Sequence, residues 1–267
     1  MSKTRVENAA RFWILLLLAV ALAFWIAGPA AGAGAPTDGA ASAAVSPGAA
    51  AIGKAAKDNQ YLFIFFWKDD TQQSRAMRGV FQAAMAKLAG TAQSAEIQTA
   101  DAAERAIVAR YGVDRAPMPF VLAIAPNGAI TKGFPTQFDE NQLRQAFVSP
   151  CTAACMKALQ DRKFVLLCVQ NSATQFNATA IQGARDMQAD PRYVGHTEVV
   201  LLNSAEPKEA AFLTSLQINP QAPQPVTVLM TPPGSVVGKF AGEVTKDQLI
   251  TKLQAASSCG PNCSCHH

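Results

Sequence analysis

The chain contains the same pattern twice, and a fold built on it must close two similar cores rather than one. Lys54-Ala55-x-x-Asp58 before an apolar run at 61–67 recurs as Lys157-Ala158-x-x-Asp161 before a run at 163–170, an offset of 103 residues. Thr71-Gln72 recurs at the same offset as Thr174-Gln175. Further on, Ala116-Pro117-Met118-Pro119 becomes Ala222-Pro223-Gln224-Pro225 at an offset of 106, followed in register by Pro126/Pro232, Gly128/Gly234, Phe134/Phe240 and Gln142-Leu143/Gln248-Leu249. Between 116 and 147 this gives 8 identities in 32 positions, and three inserted residues account for the change of offset. Self-similarity at a fixed long period marks repeated structural units.

Within each copy the order of elements is the same. Runs at 61–67 and 163–170, rich in aromatic and branched residues, have strand length and are too short for a core helix. A helix follows, marked in the first copy by Met77, Val80, Phe81, Met85 and Leu88 at helical spacing and replaced in the second by 178–187. Then come a strand (95–99; 197–202), a helix (102–111; 207–216), a strand opened by proline (120–125; 226–231), a Pro-x-Gly turn, a short strand (129–134; 235–240) and a last helix (140–147; 246–253). Strands alternating with helices and ending in a hairpin predict an α/β fold with a mixed central sheet. With 49% hydrophobic residues in 267, there is material for two cores.

The first 33 residues read as an address. Lys3, Arg5 and Arg11 precede an apolar run at 12–27, Gly28-Pro29 breaks any helix, and Ala31-Gly32-Ala33 fits a small-x-small cleavage pattern. The competing reading is an uncleaved membrane anchor through residues 12–27, with Trp13 and Trp25 at the two interfaces. Either predicts an exported protein, periplasmic or held at the membrane facing the periplasm or cell exterior. Residues 34–50, almost all Ala, Gly, Pro and Ser, read as a flexible linker. These early basic residues, less Glu7, supply half of a net charge of +4, so nucleic-acid binding is not expected.

The element order, the Tyr111-Gly112-Val113 run before a proline-opened strand, the Pro126-Asn127-Gly128 turn and the Gly133-Phe134 step before the last helix resemble the thioredoxin-like superfamily, and the Pro119-to-Gly128 spacing resembles its exported, membrane-tethered branch. The resemblance implies two tandem thioredoxin-like domains, at 51–148 and 149–256, each with a mixed central sheet. It also implies cis bonds at Met118-Pro119 and Gln224-Pro225, facing the redox site as a groove. That chemistry needs Cys-x-x-Cys at the head of the helix after the first strand, where backbone N–H groups and the helix dipole stabilise a thiolate. The positions concerned read Lys68, Asp69, Asp70, Thr71 and Asn171, Ser172, Ala173, Thr174, with no sulfur in either copy. A hydroxyl has no reversible redox couple there, so thioredoxin-type turnover is not expected at the usual site. Asp69, Asp70, Asn171 and Ser172 suit helix N-capping, against a carboxylate metal or ligand site.

Five of the six cysteines cluster. Cys151 and Cys155 follow Ser149-Pro150, a helix start; at i,i+4 their Cα atoms lie about 6 Å apart, within disulfide range. A structural disulfide, two packed thiols, and a reactive or metal-binding pair all remain open. Cys168, inside a strand at the position of Phe65, reads as a small buried hydrophobe, and His196 as a solvated loop residue. The tail at 257–267 holds Cys259, Cys263, Cys265 and His266, a donor set for Cu(I) or Zn(II), or a frayed end with one disulfide. No cofactor other than this Cu or Zn is implied. The first functional expectation is a binding or assembly module for another envelope protein, with no catalytic residue. Metal or thiol handling through the tail is the alternative, and an oxidoreductase using Cys151/Cys155 a further one. No hydrolase or nucleotide motif is legible.

Overall fold

The computed structural model describes residues 45–258, which form two compact units, each built on one four-stranded sheet. In the first, helix α1 (Pro47–Lys57) leads into β1 (Tyr61–Trp67), α2 (Gln72–Leu88) and β2 (Ala92–Gln98). A 3-10 turn and α3 (Arg105–Tyr111) follow, then β3 (Phe120–Ile124), β4 (Ile130–Pro135) and α4 (Glu140–Arg144). The second repeats this as α5 (Pro150–Gln160), β5 (Phe164–Gln170), α6 (Asn177–Ala189), β6 (Thr197–Asn203), α7 (Ala210–Ser215), β7 (Val226–Thr231), β8 (Ser235–Ala241) and α8 (Lys246–Ser258).

The sheet orders are β2-β1-β3-β4 and β6-β5-β7-β8. In each, the central strand runs parallel to the second and antiparallel to the third, so both sheets are mixed. The mixed α/β class expected from the sequence is what the structure has. β1 and β5 are buried along their middle five residues, as central strands covered on both faces must be. In the second unit Leu167, Val169, Val200 and Val228 pack with Cys155 and Leu213 on one face, while Leu166, Cys168 and Leu229 pack with Met187, Val244 and Leu249 on the other. α5 and α7 therefore cover one side of the sheet and α6 and α8 the other.

α1 corrects the linker boundary, because the helix starts at Pro47, inside the stretch read as a tether. Ser46 caps it, its hydroxyl accepting from Ala49 N–H at 3.2 Å, and proline opens the first turn. The buried carboxylate of Glu104 holds this end in place, accepting from Ser46 O–H at 2.9 Å and Gly48 N–H at 2.7 Å. Negative charge at a helix N-terminus is favourable. Glycine at 48 allows this close approach, since a Cβ there would lie 2.5 Å from Glu104 Oε2 unless that side chain shifted. The second unit repeats the device: Ser149 caps α5 and donates to the buried Glu209 at 2.6 Å. The signal was present in the sequence as Ser46-Pro47/Ser149-Pro150 at the offset of 103.

Among the described residues no helix is long and apolar enough to cross a membrane. Residues 12–27 and the tail cysteines lie outside the described residues.

Candidate functional site

β1 and β3 are antiparallel neighbours with Phe66 opposite Phe120. The loop leaving β1 and the proline entering β3 therefore sit at one end of the sheet. Val169 opposite Val226 sets up the same arrangement in the second unit. The structure thus brings Lys68, Asp69, Asp70 and Thr71 to the end carrying Pro119, and Asn171, Ser172, Ala173 and Thr174 to the end carrying Pro225.

In the first unit Thr71 is the N-cap of α2, a role expected of Asp69 or Asp70. Its Oγ1 accepts from Ser74 N–H at 3.1 Å, and its hydroxyl donates to the Ser74 hydroxyl at 3.1 Å. Asp70 is turned instead toward arginine. Arg75 donates to its carbonyl at 2.6 Å and its carboxylate at 3.2 Å, and Arg78 lies 3.4 Å from the other oxygen. Arg78 in turn stacks over the Trp67 ring at 4.7 Å and pairs with Glu96 at 3.1 Å. Lys68 and Asp69 are exposed, and the Lys68 carbonyl accepts from the Gln98 amide. Ser74 is 3% exposed, so Thr71-x-x-Ser74 forms a closed hydroxyl pair at the Cys-x-x-Cys spacing.

The second unit uses an amide in place of the second hydroxyl. Asn171 Oδ1 accepts from Ala173 N–H at 2.8 Å and Thr174 N–H at 3.1 Å, making an Asx turn. Thr174 O–H donates to Asn177 Oδ1 at 2.6 Å, and Asn177 Nδ2 returns to the Asn171 carbonyl at 2.8 Å. Asn171 Nδ2 also donates to Ser204 Oγ at 2.7 Å. These bonds absorb the loop, so α6 starts only at Asn177, with Phe176 ahead of it in the left-handed region and 48% exposed. Asn171 caps the turn and not the helix, and Ser172 lies exposed beside a shallow depression lined by Gln170, Leu201 and Asn203. The hydroxyl–hydroxyl and hydroxyl–amide pairs were the feature the sequence reading missed, although both halves were visible as Thr71-x-x-Ser74 and Thr174-x-x-Asn177.

The prolines differ. The Met118-Pro119 bond is cis, as the resemblance implies, and Pro119 O accepts from Thr136 N–H at 2.7 Å. The expectation for Gln224-Pro225 is corrected: that bond is trans, and a cis bond lies instead at Pro232-Pro233. Pro223 O accepts from Gln175 N–H at 3.1 Å, and Pro225 O keeps the matching bond to Gly242 N–H at 2.8 Å.

Cys151, Cys155 and Cys168 are free thiols, so the pair is not joined in this structure. Cys155 points into the core at 2% exposure, while the Cys151 thiol is drawn to the edge strand, donating to the Leu201 carbonyl at 3.2 Å. Burial, then the nearby Glu209 carboxylate, pushes the Cys151 thiol up to about 11. Burial, then the neighbouring Cys151, pushes Cys155 up to about 12. Cys168, 1% exposed opposite Thr227, is pushed up to about 11 by burial. A thiol nucleophile needs the opposite shift. β5 also separates the two sides: Cys151 bonds to β6, whereas Pro225 opens β7. Among the described residues no three side chains of ligating type converge to hold a metal. Cys259, Cys263, Cys265 and His266 lie outside them. His196 is exposed in the loop before β6, and its carbonyl accepts from Phe164 N–H.

Each unit has a four-stranded mixed sheet with the same strand order, consistent with the thioredoxin-like domains that the sequence resembles. Solved structures similar to the chain include an oxidised thioredoxin O2 from Arabidopsis thaliana, at 11% identity and TM-score 0.30 over 36% of this chain and 79% of that one. A disulphide isomerase from Xylella fastidiosa aligns at 14% identity and TM-score 0.31 over 41% and 92%. Human ERp44 in a zinc-bound form aligns at 11% identity and TM-score 0.33, over 78% of this chain and 57% of that one. No protein-family model matches the chain. No curated protein matches it either.

Proposed function

We propose that this chain is an exported tandem thioredoxin-like binding module that presents the proline ends of its sheets to another envelope protein and carries out no dithiol exchange there. The observation that carries the reading is the pair of helix heads. Neither 68–71 nor 171–174 carries sulfur, and at the helix heads that follow, Thr71/Ser74 and Thr174/Asn177 are each closed on themselves by hydrogen bonds. Oxygen and nitrogen at these positions keep the turn formed but provide no electrons to exchange. The three described thiols are protonated at neutral pH and placed elsewhere, which also weighs against an oxidoreductase based on Cys151 and Cys155.

Export is supported by the basic start, the apolar run at 12–27 and the small residues at 31–33. The same run provides a membrane anchor if it is retained. Met118 is the residue to probe, being partly exposed and next to the cis bond of the first unit. A photo-crosslinking amino acid at Met118 in the full chain, illuminated in the intact envelope, should trap a discrete partner, and the same group at exposed Lys54 should not. Absence of an adduct from Met118, or identical adducts from both positions, contradicts the assignment of this face.

A further inference from the structure

We propose that Cys151 and Cys155 form a two-sulfur site for a soft monovalent metal ion, with Cu(I) the ion it would take. This is separate from the tail and from the proline faces, and rests on the first turns of α5. The two residues lie at i,i+4 on one helix face, with Cα atoms about 6 Å apart. Cys155 lies inside the core, and Cys151 packs against the same cluster while remaining half-exposed, which gives a path from the surface. Neither sulfur is joined to another, and the Cys151 thiol bonds to the Leu201 carbonyl and the Glu209 carboxylate.

The first unit is an internal control. At the offset of 103 it has Gly48 and Ile52 where the second has Cys151 and Cys155. It builds the same serine-capped helix beside the same buried glutamate without either sulfur, so the fold does not require them. Glu104 receives Ser46 O–H and Gly48 N–H, and Glu209, 3% exposed, receives the Ser149 hydroxyl at 2.6 Å and the Cys151 thiol. Among the described residues no Lys or Arg forms an ion pair with Glu209. Exchanging two thiol protons for one Cu(I) makes the site one charge more negative, so this carboxylate opposes binding and the two Cu–S bonds must outweigh it.

The donor count selects the ion. Thiolates prefer soft metals, and no third ligating side chain converges here among the described residues, so the four-coordinate set that Zn(II) prefers cannot be assembled from them. Two sulfurs are enough for two-coordinate Cu(I). Binding replaces the two thiol protons by one Cu(I), releases both protons to solvent and changes no oxidation state.

The test uses the full chain with Cys259→Ser, Cys263→Ser and Cys265→Ser, which removes the competing tail. This protein, reduced and kept free of oxygen, is titrated with Cu(I) against bicinchoninate and weighed by native mass spectrometry. One Cu(I) per chain is expected. Cys151→Gly and Cys155→Ile, which install the residues of the first unit, should each abolish that binding. The melting temperature reports whether each variant folds; if Cys155→Ile does not, Cys151→Gly and Cys155→Ser carry the test. No Cu(I) bound by the parent, one Cu(I) retained by folded Cys151→Gly, or Zn(II) displacing Cu(I) at equal concentration would each overturn the proposal.

Discussion

Single atoms decide this molecule's chemistry. At the head of α2 a hydroxyl caps the helix, and at the matching turn of the second unit a hydroxyl and an amide close on each other, so what would be a redox couple is a structural clasp. Asp190, at the end of α6, shows how much one buried carboxylate can gather: it accepts from the Arg192 guanidinium at 2.9 and 3.1 Å and lies 3.4 Å from Lys246, at the start of α8. The Arg192 bonds, with help from Lys246, hold its carboxyl well below the usual carboxylate range. A depressed carboxylate stabilises the fold above its unfolded pKa of about 3.9, and that stability is lost as pH falls through the lower folded value. Asp190→Asn should therefore lower the melting temperature at pH 6. The gap between variant and native protein should narrow as pH drops below about 4. A gap that stays constant from pH 6 to pH 2.5 would show that the ion pairs are not its source.

At the scale of elements, close approach overrides propensity. Gly183 in α6 would place a Cβ 1.9 Å from the Val244 carbonyl oxygen, a clash with backbone that cannot move aside. Gly79 in α2 faces nothing within 4 Å. Both are helix-interior glycines, where alanine is ordinarily better by roughly 0.5–1 kcal/mol. Gly79→Ala should gain about that much, while Gly183→Ala should lose about 1–3 kcal/mol through overpacking. Thermal melts of the two variants, shifted in opposite directions, check this; a stabilised Gly183→Ala would contradict the packing described between α6 and the start of α8.

The same contrast explains what the sequence disclosed. β1 and β7 were legible to the residue, and β5 to within one, because apolar runs of strand length bounded by turn residues leave few alternatives. Cys168 was legible as core because it sits in such a run. The start of α1 was not, since Pro47-Gly48-Ala49-Ala50 has no apolar pattern; that helix end is fixed by Glu104, far away in sequence. The early stop of α4 at Arg144 and the long run of α8 to Ser258 were missed for a related reason: helix ends depend on local hydrogen bonding more than on periodicity. The capping role of Thr71 over Asp70 turned on Arg75 and Arg78 claiming the carboxylate, a competition that spacing does not reveal. The isomer at Gln224-Pro225 was not legible either, because both copies share the same Ala-Pro-x-Pro run while only the first is cis there.

For the whole molecule, duplication lets each unit calibrate the other. Both keep the sheet order, the serine-capped first helix and the buried glutamate. They differ where chemistry would be expected: hydroxyl against amide at the helix head, cis against trans before the proline, glycine and isoleucine against two cysteines on the first helix. The central claim is that the scaffold is present twice and dithiol exchange is absent from the helix heads of both. Insulin disulfide reduction in the presence of dithiothreitol, followed by turbidity, tests it most directly with the full chain carrying Ser at 259, 263 and 265. The account predicts the rate of buffer alone for this protein and a rise above it when Thr71→Cys and Ser74→Cys are added. Turnover above buffer without those two substitutions would contradict it.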